Sequence, residues 1–314
     1  MKVLDSLASA SQWSAKCAAT IGKYDGMHLG HQRILDALKA DAARRNLPSL
    51  VILSEPHPEE FFAGADAPPR LNHFRDKVDF LAAYGVDAVY RMPFDYTLSQ
   101  QSPEDFVRQF LVSGLGLKSL VIGDDFRFGR NRSGDMHVLQ RLGNELDFGV
   151  MRIAPGLDGG ERISSTLVRR YLHDGDCEHV TCLLGRPYSI SGVVIRGRQL
   201  GRQIGVPTAN VELLTPGLPM TGVFAVHATL PGRELHGVAN IGFKPTVTSE
   251  RTPSLEVHLL DFDGDIYGER LQVHFLHKLR NEQKFAGLPE LQAQIQRDIA
   301  QARAGFMQST GVPQ

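Results

Sequence analysis

Apolar and polar positions in the first half of the chain alternate between two rhythms. Cys17 to Ile21 is a short apolar run closed by Gly22, the mark of a buried strand. From Gln32 to Arg45 the apolar residues Ile34, Leu35, Leu38 and Ala42 recur at helical spacing, and Asn46 and Pro48 end the stretch. Leu50 to Leu53 is continuously apolar, as a strand covered on both faces should be. His73 to Tyr84 reads as helix and Ala88 to Tyr90 as strand. Ser102-Pro103-Glu104-Asp105 combines a capping hydroxyl, a proline at the first helical position and acids in the first turn. Leu120 to Ile122 is strand again. This βα alternation predicts an α/β domain, a parallel sheet covered by helices.

The rhythm changes after Gly185. Leu255, Val257 and Leu259 alternate with Glu256 and His258, and Gly222 to Thr229 and Leu235 to Ile241 also read as strands. Gly192 to Asn210 reads as a glycine-rich strand and its loop. Short strands at close spacing predict a small closed antiparallel β-barrel. Leu291, Ile295 and Ile299 place one helix at the end of the chain. The helix from Asp176 closes at Gly185 in an expected left-handed cap, which sets the domain division at 1–184 and 185–314.

Composition narrows the class. A chain of 314 residues is large for a single core, which agrees with two domains. No stretch is apolar for long enough to span a bilayer, and Met1 to Trp13 lacks the pattern of a secretory signal, so the cytoplasm is the expected compartment. Cys17, Cys177 and Cys182 form no CxxC pair and read as reduced buried thiols. A net charge of −1 argues against broad nucleic-acid binding. Nothing calls for an obligate protein partner.

In an open parallel sheet, ligands sit beyond the carboxyl ends of the strands. Three segments follow expected strands: Gly22 to His31, Glu55-Pro56-His57-Pro58, and Gly123 to Gly129. In the first, His28 and His31 flank Gly30 at a helix entrance. Backbone N–H groups there attract anions, and imidazoles donate to phosphate oxygens. A metal pair or a purely structural pair is the alternative. Asp25 and the glycines Gly22, Gly26 and Gly30 favour the anion site, and no GxxxxGK[ST] is present. Gly123 to Gly129 sets Asp124 and Asp125 beside Arg127 between Phe126 and Phe128, a set able to hold a base, a ribose or a metal ion. Ser164, Ser165 and Thr166 can cap a helix from which Arg169 reaches a phosphate; an ordinary cap with a solvent arginine is the plainer option. In the second half, Gly201 to Asn210 places the Thr208 hydroxyl and the Asn210 amide oxygen two residues apart, hard donors suited to Mg²⁺.

Together, Gly22–His31, Glu55–Pro58, Gly123–Gly129 and Ile163–Arg169 resemble the adenylyltransferase domain of the bacterial bifunctional riboflavin kinase/FAD synthetases. Leu200 to Asn210, Gly237 to Gly242, Leu255 to His258 and Leu279 to Phe285 resemble the riboflavin kinase domain of the same family. The resemblance implies a Rossmann-like nucleotidyltransferase followed by a barrel kinase, with ATP, riboflavin, FMN and FAD as substrates and products and Mg²⁺ as cofactor. It implies that His28 and His31 hold the ATP phosphates, that Ser164, Thr166 and Arg169 complete that cradle, and that Gly22, Tyr24, Asp25, Gly26, Gly30 and Asp125 lie against the nucleotide. His57, Phe126 and Arg127 would face the flavin of the first site. In the second, Glu256 would be the base, Thr208 and Asn210 the metal ligands, Gly201 and Pro207 the phosphate loop, and Arg280 and Phe285 the flavin neighbours.

Some positions depart from that family. Tyr24, Ser54 and Val206 each stand where phenylalanine is usual, and Phe243-Lys244 precede Pro245-Thr246 where other residues are common. Two other functions stay open on the residues alone. One is a nucleotidyltransferase with a different phosphate acceptor. The other is a barrel acting as a nucleic-acid or regulatory module.

Overall fold

The computed structural model describes residues 1–197, 201, 205–214, 217–245 and 251–309. Leu200, the run 202–204 and Thr246, all part of the motifs above, lie outside them. Contacts divide the chain into two compact units, Met1–Pro68 with Asn72–Ser164, and Pro69–Leu71 with Ser165–Gln314. Among the described residues no helix is long and apolar enough to cross a membrane.

The first unit runs β1 (Lys2–Leu4), α1 (Leu7–Trp13), β2 (Cys17–Gly22), α2 (Leu29–Arg45), β3 (Ser49–Glu55), α3 (Pro58–Ala63), α4 (Phe74–Ala83), β4 (Ala88–Pro93), α5 (Tyr96–Ser99) and α6 (Pro103–Asp105). After the π-helical stretch Phe106–Gly114 come β5 (Leu117–Gly123), α7 (Met136–Leu146), β6 (Gly149–Ile153) and the hairpin β7 (Leu157–Asp158) and β8 (Glu161–Arg162). Six strands form one parallel sheet in the order β1-β4-β3-β2-β5-β6. Its two faces explain the unbroken apolar runs. Leu50 and Ile52 enter one core cluster, Val51 and Leu53 the other. Strand order reverses between β2 and β5, so the chain leaves the sheet in opposite senses on either side of that line. In open parallel sheets such a reversal marks where ligands bind, at the carboxyl ends.

The start of α2 differs from the expectation. It begins at Leu29, not Gln32, so Gly30 and His31 occupy its first turn. His28 caps it through a ring nitrogen, a donor–acceptor role that the usual capping residues fill with an oxygen. The elements β1 and α1 carry no signal that the hydrophobic pattern made legible.

The second unit holds α8 (Ser165–Asp174), α9 (Cys177–Leu184), β9 (Tyr188–Ile195), β10 (Ala209–Val211), β11 (Gly222–Leu230), β12 (Arg233–Pro245), β13 (Arg251–Leu259), β14 (Arg270–Arg280) and α10 (Leu288–Ser309). The strands close into a barrel in the order β10-β13-β12-β11-β14-β9. Phe224 and Phe275 meet edge to face inside it, 5.4 Å between centroids. Outside, Ala302 and Phe306 of α10 pack on Val223, Ala225 and Val238. The helices α8 and α9 group with the barrel unit, ahead of the boundary expected at Leu184, and α9 packs on β9 and β14. Gly185 does cap α9 in the left-handed region, φ 70°. The strand β14 was not anticipated, although Leu271, Val273 and Phe275 alternate with polar residues and are fully buried.

The cysteines are free. Burial pushes the Cys17 and Cys177 thiols up to about 12. Cys182 is exposed, which corrects the reading of three buried thiols. It follows Thr181 on the outward side of α9, where the helix turns its apolar stripe (Val180, Leu183, Leu184) inward.

Candidate active sites

The loop between β2 and α2 is held in a costly backbone. Tyr24 (φ 50°) and Met27 (φ 48°) both sit in the left-handed region although neither is glycine. Each such residue costs on the order of 1–3 kcal/mol, and the surroundings must hold it there. Both side chains are buried, the Tyr24 hydroxyl meets Thr20 Oγ1 at 2.7 Å, and the Gln32 amide donates to the Met27 carbonyl at 2.9 Å. Tyr24, where phenylalanine is usual, thus gains a buried hydrogen bond. A Cβ at Gly22 would stand 3.2 Å from the Tyr24 ring, so a side chain there would press on the buried tyrosine. At Gly30 a Cβ would press on the His28 ring and on the Ile163 carbonyl. Asp25 is buried, and its carboxylate accepts from the Asn72 N–H at 3.2 Å.

This backbone stacks the His28 and His31 rings, 3.7 Å between centroids and 17° between planes. His28 Nδ1 accepts the His31 N–H at 3.3 Å. His31 Nδ1 is buried and has no hydrogen-bond partner among the described residues. Burial, then the charges of His28, Lys77, Lys23 and Arg162, holds the His31 imidazole well below its ordinary value. A neutral ring with an idle nitrogen, ringed by cations, is arranged for an anion.

Beside it, at the end of β3, Lys77 of α4 is fully buried between Glu55 Oε1 (3.1 Å) and His57 Nε2 (2.7 Å). Sequence reasoning missed Lys77, since a lysine in an amphipathic helix reads as solvent-facing. Ser54 is buried. On α3, Phe61 and Phe62 are exposed aromatics that meet each other and Phe94 edge to face.

After β5, the segment Gly123–Gly129 folds onto itself. Phe128 and Gly134 exchange backbone hydrogen bonds at 3.2 and 2.9 Å, and Phe126 stacks on Phe128. Asp125 is paired with Arg162 at 2.7 Å, and Asp124 lies 3.5 Å from the same guanidinium. Arg127 is paired with Asp135, the cap of α7, at 3.0 Å. Both charged residues expected to meet a ligand therefore hold protein partners here. Ser164 is the last residue of the first unit.

Thr166 and Arg169 belong to α8 in the second unit. Thr166 is exposed, and the Arg169 Nε–H donates to the Pro69 carbonyl at 2.7 Å.

On the barrel wall, register aligns Asn210 of β10, Glu256 of β13 and Asn240 of β12 in one cross-strand row. Leu255 and Val257 point into the barrel and are buried, so Glu256 faces out. Lys244 Nζ lies 3.1 Å from Asn210 Oδ1 and 2.5 Å from Glu256 Oε1. Two oxygen donors thus already share one cation. Gly201 is close-packed, with a Cβ there 2.3 Å from the Val206 carbonyl, and Val206, smaller than the usual phenylalanine, is buried. Pro207 and Thr208, with Asp263, Asp265 and Tyr267, line a cavity of about 360 Å³. The Pro207 carbonyl meets His258 Nδ1 at 2.8 Å. Arg280 is clamped by buried Asp298 of α10, 2.9 to 3.0 Å, and its guanidinium lies over the Phe285 ring at 5.7 Å. Glu282 was not singled out by sequence. Its carboxyl fills the space that a Gly242 side chain would need, bonds to Asn240, and is raised by burial.

A helix-covered parallel sheet with a stacked histidine pair at its carboxyl end, followed by a small barrel with a polar row on its wall, is the layout of a two-unit transferase. The FAD synthetase family model matches residues 10–167 and the riboflavin kinase model residues 184–306. The bifunctional riboflavin kinase/FMN adenylyltransferase of Escherichia coli K12 is 46% identical over 308 residues, 98% of each chain. That of Haemophilus influenzae is 43% identical over 307 residues, 98% of this chain and 99% of its own. A solved structure described as a macrolide-efflux protein from Streptococcus pneumoniae aligns over 96% of this chain and 98% of its own, with 26% identity and a TM-score of 0.81. The chain belongs to the bifunctional riboflavin kinase/FMN adenylyltransferase family, ATP-dependent transferases that carry a FAD synthetase domain followed by a riboflavin kinase domain.

Proposed function

We propose that residues 185–314 convert riboflavin to FMN and residues 1–184 convert FMN to FAD, each reaction in its own site. The order of the two family matches, 10–167 and 184–306, supports that division. The observation that carries the first site is the stacked His28–His31 pair with an unpartnered Nδ1 at the end of β2. An FMN phosphate oxygen attacks the α-phosphorus of ATP, that O–P bond forms, and the bond to the bridging oxygen of the β-phosphate breaks. The phosphate is already anionic, so no protein base is needed; positioning and charge stabilisation suffice. His28 and His31 donate to the phosphates and to the leaving pyrophosphate; Ser164, Thr166 and Arg169 are further candidate phosphate ligands. Gly22, Tyr24, Asp25, Gly26, Gly30 and Asp125 border the nucleotide. His57, Phe126 and Arg127 serve the flavin side, where the exposed rings Phe61 and Phe62 offer stacking surface.

In the second site a neutral ribityl hydroxyl must lose its proton. Glu256 takes it as the oxygen attacks the γ-phosphorus, and ADP leaves. The oxygens of Asn210 and Glu256 already converge on the Lys244 ammonium, so the donor set suits a hard cation. Thr208 and Asn210 would hold Mg²⁺, which when bound neutralises the ATP phosphates. Gly201 and Pro207 form the phosphate loop, and Arg280 with Phe285 borders the flavin, Arg280 fixed by Asp298. The partners are small molecules, and we take the cytoplasm as the compartment. Incubation with riboflavin, ATP and Mg²⁺ should yield FMN first and FAD later; folded protein that makes neither would sink the proposal.

A further inference from the structure

Lys77 stands apart from every residue assigned above. It sits on α4, one turn past the His73 cap, with its side chain fully enclosed. Its ammonium contacts Glu55 Oε1 at 3.1 Å and His57 Nε2 at 2.7 Å. Glu55 and His57 are themselves buried, 8% and 4% exposed. A lysine with only aliphatic work to do would send its head group to water. This one is drawn inward to the carboxyl end of β3, the strand paired with β2 at whose end the two histidines stand.

An ammonium has three donors and no acceptor. Its 2.7 Å contact ties the His57 ring through Nε2. The carboxylate of Glu55 does not cancel the reach of Lys77: its charge is among those that keep His31 unprotonated, after burial and His28. We propose that Lys77 is a positioning residue for adenylyl transfer, fixing the His57 ring and setting a buried ammonium at the carboxyl end of β3, next to the strand that ends at the two histidines. The proposal rests on the reading of His28 and His31 as the phosphate site. Its ligand is the triphosphate of ATP, whose charge Lys77 meets through the histidines and not by contact.

The test uses the full chain, and thermal unfolding with near-ultraviolet circular dichroism shows whether the first unit still folds. In Lys77→Met, FAD formation from FMN and ATP should fall about 100-fold, the effect of a misplaced reacting group, with FMN formation from riboflavin unchanged. The His31 ring, followed by nitrogen NMR, should titrate at higher pH once the charge is gone, and the His57 ring nitrogens should shift as their Lys77 contact is lost. Because Lys77→Met strands the Glu55 charge, Lys77→Met/Glu55→Gln is measured beside it. The double variant should regain thermal stability and not FAD formation. Recovery of FAD formation there would make Lys77 a mere counter-ion of Glu55 and overturn the proposal. So would full FAD formation in Lys77→Met, or loss of both activities in both variants, which marks a structural residue. His31→Ala separates the two levels. If it keeps FAD formation, the phosphate reading itself fails; if it loses FAD formation while the Lys77 variants keep it, only the role of Lys77 fails.

Discussion

His28 and His31 are joined by a shared N–H and a stack: the His31 N–H donates to the His28 carbonyl at 2.8 Å and to His28 Nδ1 at 3.3 Å, and the rings lie 3.7 Å apart. The first histidine caps the helix that carries the second, so neither can shift without the other. Gly30 between them permits the stack, since any side chain would strike the His28 ring.

The protonation of His31 should follow ATP. In the free protein its value is lowered by burial and then by neighbouring positive charge, so the ring is neutral at pH 7. Phosphate anions reverse the charge contribution and raise it. ATP binding near neutral pH should therefore take up protons, and the uptake should fade as pH rises. Calorimetry in buffers of different ionisation heat measures this, and His31→Ala should abolish the part due to the first site.

The two activities should separate by mutation. His28→Ala/His31→Ala should lower FAD formation by at least about 100-fold, the scale for losing one donor to developing charge, and spare FMN formation. Glu256→Ala should lower FMN formation by about 100- to 10,000-fold and leave FAD formation from supplied FMN intact. Chromatography of the flavin products decides it. Equal loss of both activities in either variant contradicts independent sites.

Lys244 occupies the oxygens that the kinase reading reserves for the metal and the proton. Lys244→Met removes the competing cation. Half-maximal FMN formation should then need less Mg²⁺ than in the parent protein. A metal titration that does not move would show that Lys244 leaves the site at no cost.

Asp298 is 2% exposed and holds Arg280 in a two-pronged pair across β14 and α10. Asp298→Ala strands a largely buried guanidinium and should destabilise the barrel by about 3–5 kcal/mol. Urea unfolding of the parent and variant proteins measures it.

Much of this protein is legible in one dimension because its signals are local. The apolar run of β3 and the helical stripe of α2 need only their own residues, and the switch of rhythm after Gly185 announces the barrel. The HxGH segment is readable as an anion site because glycine, imidazole and a helix start are neighbours in the chain. The alternation of Leu255, Val257 and Leu259 left two orientations for Glu256, and only the closed barrel chose one by burying the three apolar side chains. The pairings of Asp125 with Arg162, Lys244 with Glu256, Arg280 with Asp298 and Lys77 with Glu55 join residues 12 to 37 positions apart, and no periodicity encodes them. Sequence by itself determined the two folds, since these follow from local pattern and spacing, and the family, through the resemblance of its motifs. Tertiary structure alone decided which charges are already partnered, where His31 keeps an idle nitrogen, and that Lys77 is buried, because burial and electrostatic neighbourhood exist only once distant segments meet.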